Sequence, residues 1–590
     1  MKKILALTLL PLVASSLTSC FDPSSSESSR TLSSGETVSR RLIKGITSVG
    51  GDATNVETLE ILFKKNGDVP YVALKDGFRL IKTIKDSKLG KKTPDYTFDI
   101  SGDSLKVSNG SAYVTFDAAK KKIVFDDFNA FTEFVAAPDK NAVLLPTLDF
   151  FSFRKNEYTK GPEYTLDLSA YSSLDIYHVD NDFFLPLKTW NDVFINSGEY
   201  FNFVYNFTDF YMVSDKTLAI PDEEGKPVLT SFGKAFYNGA KKETVSSAYA
   251  RYFYDSLLFD LNSFYGMKQE RAITDFDTYF TIKGYKEDFL SGDVHRMDNA
   301  LAYALSTLLD GHSAMTTTSP LYGFTESTID VRKVDPAKVA MEERDSTLKK
   351  KRAAKGIRLG KQYYADASTV YVTFDSFSQI DKKALYRKSY SEDAQMKDNN
   401  LLLASLYTDL QKQENKGIKN VVVDIACNDG GSADSMAYAL NLLVGEAKVD
   451  TYFNATKARG SQTFLFDLNL DGKVDANDKS LRELGYRIAI LSTKQTYSSG
   501  NALTCLAKTN SNSTLLLGER SGGGASVMRP DFTAIGSSYS LSGLKALGST
   551  DASGKFTSFE AGMGPDIALN EDELFDRPAI NAKLATRYGA

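Results

Sequence analysis

Three cysteines, three histidines and one tryptophan among 590 residues are the scarce things in this chain. Three cysteines are too few to staple a body of this length, so disulfides do not organise it. Neither sign of charge prevails. Seventy lysines and arginines stand against 75 aspartates and glutamates, a formal net charge of −5, and the cations are scattered, which excludes a strongly basic face for nucleic acid. Past the amino terminus no apolar run is long enough to cross a bilayer. With only His178, His295 and His312 available, any imidazole chemistry has three places to occur. What is present is globular: 42% hydrophobic, 25% charged and 12% aromatic residues exclude a disordered polymer or a collagen-like fibre, and the length suggests three or four units.

The first twenty residues, MKKILALTLLPLVASSLTSC, combine a lysine pair, a short apolar run and small residues, the pattern of a secretory signal. The terminal LTSC resembles a bacterial lipoprotein cleavage box. That resemblance implies removal of residues 1–19, lipid attachment at Cys20, a membrane anchor through that lipid, and a place in the bacterial cell envelope facing the periplasm or the exterior. An ordinary signal peptide with an incidental cysteine is the plainer alternative. Residues 20–44 are Ser-rich, as a tether between membrane and folded body would be.

From 45 to about 240 short alternating runs such as SAYVTFDAA and KKKIVFDDF read as strands, divided here into β-rich modules at 45–150 and 151–240. Both modules carry a related segment, DVPYVALKDGFRLIKTI (68–84) and NDFFLPLKTWNDVFIN (181–196), a strand ahead of a short amphipathic helix. Trp190 lies in the second copy and reads as core. Residues 241–330 turn helical. Leu301, Ala304, Leu305, Leu308 and Leu309 mark one buried face, and Gly311 is expected to end that helix just before His312. A charged helix or linker spans 331–366. Over 367–590 strands and helices alternate, the signature of an α/β core.

Three turns in that core carry chemistry. In RIAILSTKQTYSSGN an apolar strand meets a helix at Ser498 and Ser499, where helix-terminal amides stabilise negative charge formed when a hydroxyl attacks a carbonyl; simple capping by serine is the bland alternative. In NVVVDIACNDGG Gly430 and Gly431 let backbone amides approach a substrate. TLLLGERSGGG is the third turn.

The order DGH, NDGG, TYSSGN, GERSGGG, EAGMGPD over roughly 245–585 resembles the C-terminal processing peptidases, or tail-specific proteases. The resemblance implies a crotonase-like α/β protease core, behind a helical segment and β-rich amino-terminal modules, that hydrolyses peptide bonds through an acyl-enzyme on Ser498. Many members use a Ser/Lys dyad, but the turn Gly518–Gly524 has no lysine. The branch that includes the tricorn proteases uses His and Glu instead, which map to His312 as general base and Glu560 as the group orienting it. The Ser499 amide with that of Gly430 or Gly431 completes an oxyanion hole. The PDZ module common in the family has no visible counterpart at 313–368.

Residues 467–478, DLNLDGKVDAND, fit a calcium loop. Asp467, Asn469 and Asp471 stand at positions 1, 3 and 5, Gly472 at 6, the Lys473 carbonyl at 7, and Asp475 and Asp478 at 9 and 12. Asp478 replaces the usual glutamate, so the loop looks dockerin-like, and the ion's expected role is structural. The competing functional reading is a lipoprotein that binds peptides or surface ligands on a protease scaffold without turnover.

Overall fold

The computed structural model describes residues 28–589 apart from 32–36, 50–51, 65–66, 90–92, 133–150, 197–201, 222–226, 240, 325–335, 379–383 and 388. The signal segment and Cys20 lie outside the described residues. The chain divides into two compact units. One gathers residues up to 136, 161–335 and 528–543; the other gathers 137–160, 336–527 and 544–590.

The first unit does not respect the two β-rich modules read from sequence. Its largest sheet runs Tyr177–Val179, Asp182–Pro186, Tyr71–Ala73, Asp52–Lys64, Thr37–Val49, Phe210–Val213, Asn202–Tyr205, with Ser28–Thr31 beside Thr37–Val49. Strands from both expected modules therefore share one sheet, those of the first flanked on both sides by those of the second, and two of its strands begin inside the 20–44 stretch read as a tether. The related segments explain the mixing. Tyr71–Ala73 and Asp182–Pro186 pair antiparallel, Val72 opposite Leu185 and Ala73 opposite Phe184, and each leads into a helix, at Leu74–Leu89 and Leu187–Trp190. Aligning Leu74-Lys75 with Leu187-Lys188 makes Gly77 the counterpart of Trp190. The two meet: a methyl placed on Gly77 would stand 2.7 Å from Trp190 Nε1. The missing side chain in one copy makes room for the indole of the other, which is fully buried. A second, antiparallel sheet, Tyr164–Asp167, Lys122–Phe125, Tyr113–Asp117, Ser104–Ser108, Thr97–Ser101, buries Leu105, Val107, Val114, Phe116, Ile123 and Phe125 on its inner face by simple alternation.

In the helical part of this unit Leu301, Ala304, Leu305 and Leu308 are buried as the periodicity requires. The helix Val294–Ser306 stops earlier than Gly311, however, and the Thr307 hydroxyl that follows it donates to Ala304 O (2.9 Å). Leu309 then adopts φ 52° and stands 47% exposed, so it is no part of the buried face. His312 sits in the following turn, ahead of the strand Ala314–Thr317.

The second unit is the α/β body. Strands Thr369–Thr373, Asn420–Asp424, Arg487–Ser492, Leu515–Gly518 and Ile567–Ala568 run parallel in that order, with Gly360–Tyr364 antiparallel on the edge. Helices Asn399–Leu410, Ala433–Val444 and Ser499–Asn510 bury Leu403, Leu440 and Leu503 on one face. Leu348 of helix Pro336–Ala354 and Ile580 and Leu584 of helix Arg577–Tyr588 cover the other. A strand covered on both sides reads as an unbroken apolar run, hence NVVVD. Arg577 is buried, pairs with Asp424 and stacks 4.0 Å over the Tyr371 ring. Phe151–Thr159, expected in the second β-rich module, instead lines up against Arg459–Phe466 in this unit. Of the helix or linker expected over 331–366, the helix Pro336–Ala354 is what forms, and its Leu348 is buried. Cys427 and Cys505 are buried free thiols, and burial pushes each up to about 12, away from the thiolate form. Among the described residues no helix is long and apolar enough to cross a membrane.

Gly77→Val, which overpacks the Trp190 contact, is expected to cost about 1–3 kcal/mol, read as a lowered melting temperature. Adding Trp190→Phe should recover part of it; strict additivity of the two changes would contradict the proposed close fit.

Candidate active site

Ligand chemistry on a parallel sheet gathers at the carboxyl ends of its strands, and three such ends converge in the second unit. The strand Arg487–Ser492 passes through the turn 493–497, which the Thr496 hydroxyl ties to Ile425 O (2.8 Å) and Tyr497 N–H ties to Asn428 O (2.9 Å). Ser498 follows with φ 51° and ψ −120°, a conformation that costs a non-glycine residue about 1–3 kcal/mol. The helix Ser499–Asn510 starts immediately after, and the Ser498 side chain makes no capping hydrogen bond to it. The bland reading of this serine as a cap therefore fails. A hydroxyl raised on a strained strand-to-helix turn is the arrangement of a nucleophile elbow.

Two glycine turns close around it. Ser498 N–H donates to Gly523 O (2.9 Å). Gly430, at φ 115°, packs so near that a methyl there would stand 2.6 Å from Ser498 Cβ and 3.1 Å from its Oγ. Only glycine serves at that point, for both reasons. Gly431, at φ 120°, is locked against Phe377, whose N–H reaches Gly430 O (2.6 Å) and whose O accepts from Ser432 N–H (2.8 Å). The Ser499 hydroxyl donates to Gly431 O (2.8 Å), tying nucleophile turn and glycine turn together. Between the two oxyanion candidates the geometry discriminates. The Gly430 N–H is taken by Asn428 Oδ1 at 2.9 Å, which favours Gly431 of the two expected donors.

Glu560 reaches the same region from the short turn Phe559–Ala561. Its Oε2 accepts from Ala525 N–H (2.7 Å), and a methyl on Gly523 would stand 2.4 Å from its carbonyl oxygen and 3.4 Å from its Oε1. Asn501, one turn along the nucleophile helix, donates to Phe559 O (3.1 Å) and accepts from Ser521 Oγ (2.7 Å). Ser498, Ser499, Gly430, Gly431 and Glu560 are thus gathered in the second unit. In the turn where a dyad lysine would stand, Arg520 donates to Gly562 O (3.0 Å); a guanidinium stays protonated and cannot serve as a base.

His312 belongs to the first unit and is 8% exposed. Its N–H donates to Asp310 Oδ1 (3.1 Å), its carbonyl accepts from Ser540 Oγ (2.7 Å), and its Nδ1 lies 3.5 Å from Ser542 Oγ. The other two histidines are committed elsewhere. His178 stacks on Phe183 with its ring nitrogens at Asp103 Oδ1 and Asp180 O, and His295 is an exposed ring stacked on Tyr322. Sequence reasoning missed Asn428, Gly523, Ser542 and Asp310; the last stands two residues before His312 in the DGH run and could have been suspected.

The calcium-loop residues also lie in the second unit. Leu470 and Gly472 take φ 57° and 91°. Asp467, 1% exposed, accepts from the amides of Asp471 and Gly472, and Asp478 accepts from those of Leu468, Asn469 and Asp475. Burial, with the Asp467 charge adding to it, pushes the Asp478 carboxyl above its ordinary range.

Residues 368–569 match the family model described as Peptidase family S41. Solved structures similar to this chain include a peptidase candidate from Parabacteroides merdae, 18% identical over 58% of this chain and 98% of that one at a TM-score of 0.38. A lipoprotein from Streptococcus agalactiae is 14% identical over 58% and 96% at 0.33. The photosystem II D1 C-terminal processing protease is 17% identical over 35% and 43% at 0.25. No curated protein matches by sequence.

If Ser498 is held in a strained backbone, Ser498→Gly should melt no lower than Ser498→Ala, although at a relaxed position glycine would be worse by about 0.5–1 kcal/mol. A clear deficit for the glycine variant in thermal unfolding would remove the strain argument.

Proposed function

We propose that the chain is a serine peptidase of the bacterial cell envelope, held to the membrane by lipid on Cys20, with a crotonase-like core and Ser498, His312 and Glu560 as its catalytic residues. The observation that carries this reading is the uncapped, strained Ser498 seated between Gly430 and Gly523; the family match over 368–569 supports the same class of reaction. Ser498 Oγ attacks the carbonyl carbon of a peptide bond while His312 takes its proton. The tetrahedral oxyanion is stabilised by the N–H groups of Ser499 and Gly431, a service worth about 10²–10³ in rate for each donor. Collapse breaks the C–N bond, and the leaving amine receives the proton from His312. Water then repeats the sequence on the acyl-enzyme. Glu560 favours the imidazolium during both transfers.

A serine-directed fluorophosphonate should label the wild type and leave Ser498→Ala unlabelled, with His312→Ala slowed by at least about 10³-fold. Equal labelling of wild type and Ser498→Ala would reject the nucleophile. Absence of labelling in a folded wild type would favour the peptide-binding reading.

The loop 467–478 is proposed to hold a structural Ca²⁺. The oxygens named above would ligate it, and the ion would offset the repulsion between Asp467 and Asp478. Leu468 and Leu470 of the loop are buried in the α/β core, so metal binding stabilises that core. At calcium one hundred times its dissociation constant the gain is about 2.7 kcal/mol. A chelator should therefore lower the melting temperature by several degrees, and Asp467→Ala should abolish the difference; a chelator-insensitive wild type would exclude the ion.

A further inference from the structure

The geometry points to Ser542, carried by the segment Met528–Gly543, as a positioning residue that fixes the tautomer of His312. This rests on the peptidase reading above and deepens it. Ser538, Ser540 and Ser542 alternate along one strand and so share a face, and that face meets the turn that holds the histidine. Ser538 Oγ pairs with Thr317 Oγ1 (2.7 Å), Ser540 Oγ donates to the His312 carbonyl, and Ser542 Oγ lies 2.9 Å from Asp310 Oδ1 and 3.5 Å from His312 Nδ1. All these groups are buried or nearly so, Ser542 at 1% and Asp310 at 8% exposure.

The proton inventory decides the direction of the Ser542 contact. A hydroxyl has one proton, and a carboxylate only accepts. Ser542 therefore donates to Asp310 and can only accept from His312, so the imidazole proton sits on Nδ1. Nε2 is left with the lone pair, which is the form a general base needs. A length of 3.5 Å is at the loose end, and such contacts tighten when charge builds on the ring. Asp310 itself is fixed by His312 N–H and by the Ser313 hydroxyl (2.6 Å), so the relay has a rigid far end.

The segment Met528–Gly543 that supplies Ser542 is anchored well before it reaches the histidine. Arg529 Nη1 contacts Asp260 Oδ1 (2.5 Å) and Asp531 Oδ2 (3.1 Å), Lys188 Nζ reaches Asp531 Oδ2 (2.9 Å), and Tyr539 OH donates to Asp260 Oδ2 (2.6 Å). Ser319 Oγ adds a bond to Ile535 O (2.5 Å). The three buried aspartates Asp192, Asp260 and Asp531 lie close enough to suggest a metal site, but Lys188 and Arg529 already supply the cations there, and the cluster serves as an anchor.

The test uses fluorophosphonate labelling kinetics on the full chain. Ser542→Ala should reduce the saturating labelling rate by roughly fivefold, the kinetic equivalent of one hydrogen bond, with the half-saturating probe concentration unchanged. Ser542→Thr, which keeps the hydroxyl, should restore the rate. A wild-type rate in Ser542→Ala, or a loss that Ser542→Thr fails to rescue, would overturn the assignment. Failure of the underlying peptidase reading is distinguishable, because wild type would then show no Ser498-dependent labelling at all.

Discussion

Lys188, Arg529, Asp192, Asp260 and Asp531 form one buried cluster in the first unit, and the placement of the segment 528–543 depends on it. Burial raises every carboxyl of the group. For Asp531 the ammonium and guanidinium overcome that effect and hold it below its ordinary range, whereas Asp192 ends well above its own. Two cations, Lys188 and Arg529, thus face the three carboxylates at close range. That pairing lets ionised groups exist at such depth, since a lone buried charge would be expelled or neutralised. Removing one partner costs about 3–5 kcal/mol, because the others are left uncompensated. A cluster of this kind also admits few alternative packings, and so it specifies where the segment lies.

The second unit stores its specificity differently. There the sheet is covered on both faces and its stability comes from apolar burial, so the local energy of one strained residue can be absorbed. Ser498 uses that surplus. Its φ and ψ expose the hydroxyl at the head of a helix, and the neighbouring backbone is shaped by glycines that no other residue could replace at Gly430 or Gly523, where a methyl would meet Ser498 or Glu560 O within 2.6 Å. The site is therefore made largely of main chain. Its polar groups are fixed before any substrate arrives, which is what electrostatic stabilisation of an oxyanion requires.

Much of this was legible locally. A strand, a polar turn and a helix written in sequence as RIAILSTKQTYSSGN are enough to place Ser498, and the glycine pair after NVVVDIACND is enough to place a second turn. Local periodicity does not encode partners, however. The strand Phe151–Thr159 has the alternation of its neighbours in sequence, yet it pairs with Arg459–Phe466, some three hundred residues away. The two related segments looked like two modules because each carries its own strand and helix. Neither can bury its strand edge alone, so they pair with one another and merge their modules into one sheet. Leu309 shows the limit at single-residue scale: a helical spacing continues through it on paper, but the helix ends at Ser306 and Leu309 itself takes a left-handed φ of 52°.

Histidine scarcity gives the chemistry its strongest constraint. A base for Ser498 must shed its proton near neutral pH. Arg520 cannot, and Lys188 is buried and ion-paired, its pKa raised above the ordinary value by Asp192 and Asp531 against the effect of burial. His178 has its ring nitrogens occupied and His295 is a stacked surface ring. His312 is different in kind, because the protein invests two serine hydroxyls and a buried aspartate in its placement. A neighbour that fixes which nitrogen carries the proton is what the proposed base role of His312 requires. A general base gains the fraction of time spent in the reactive tautomer, and that benefit exists only if Nε2 has a proton to accept.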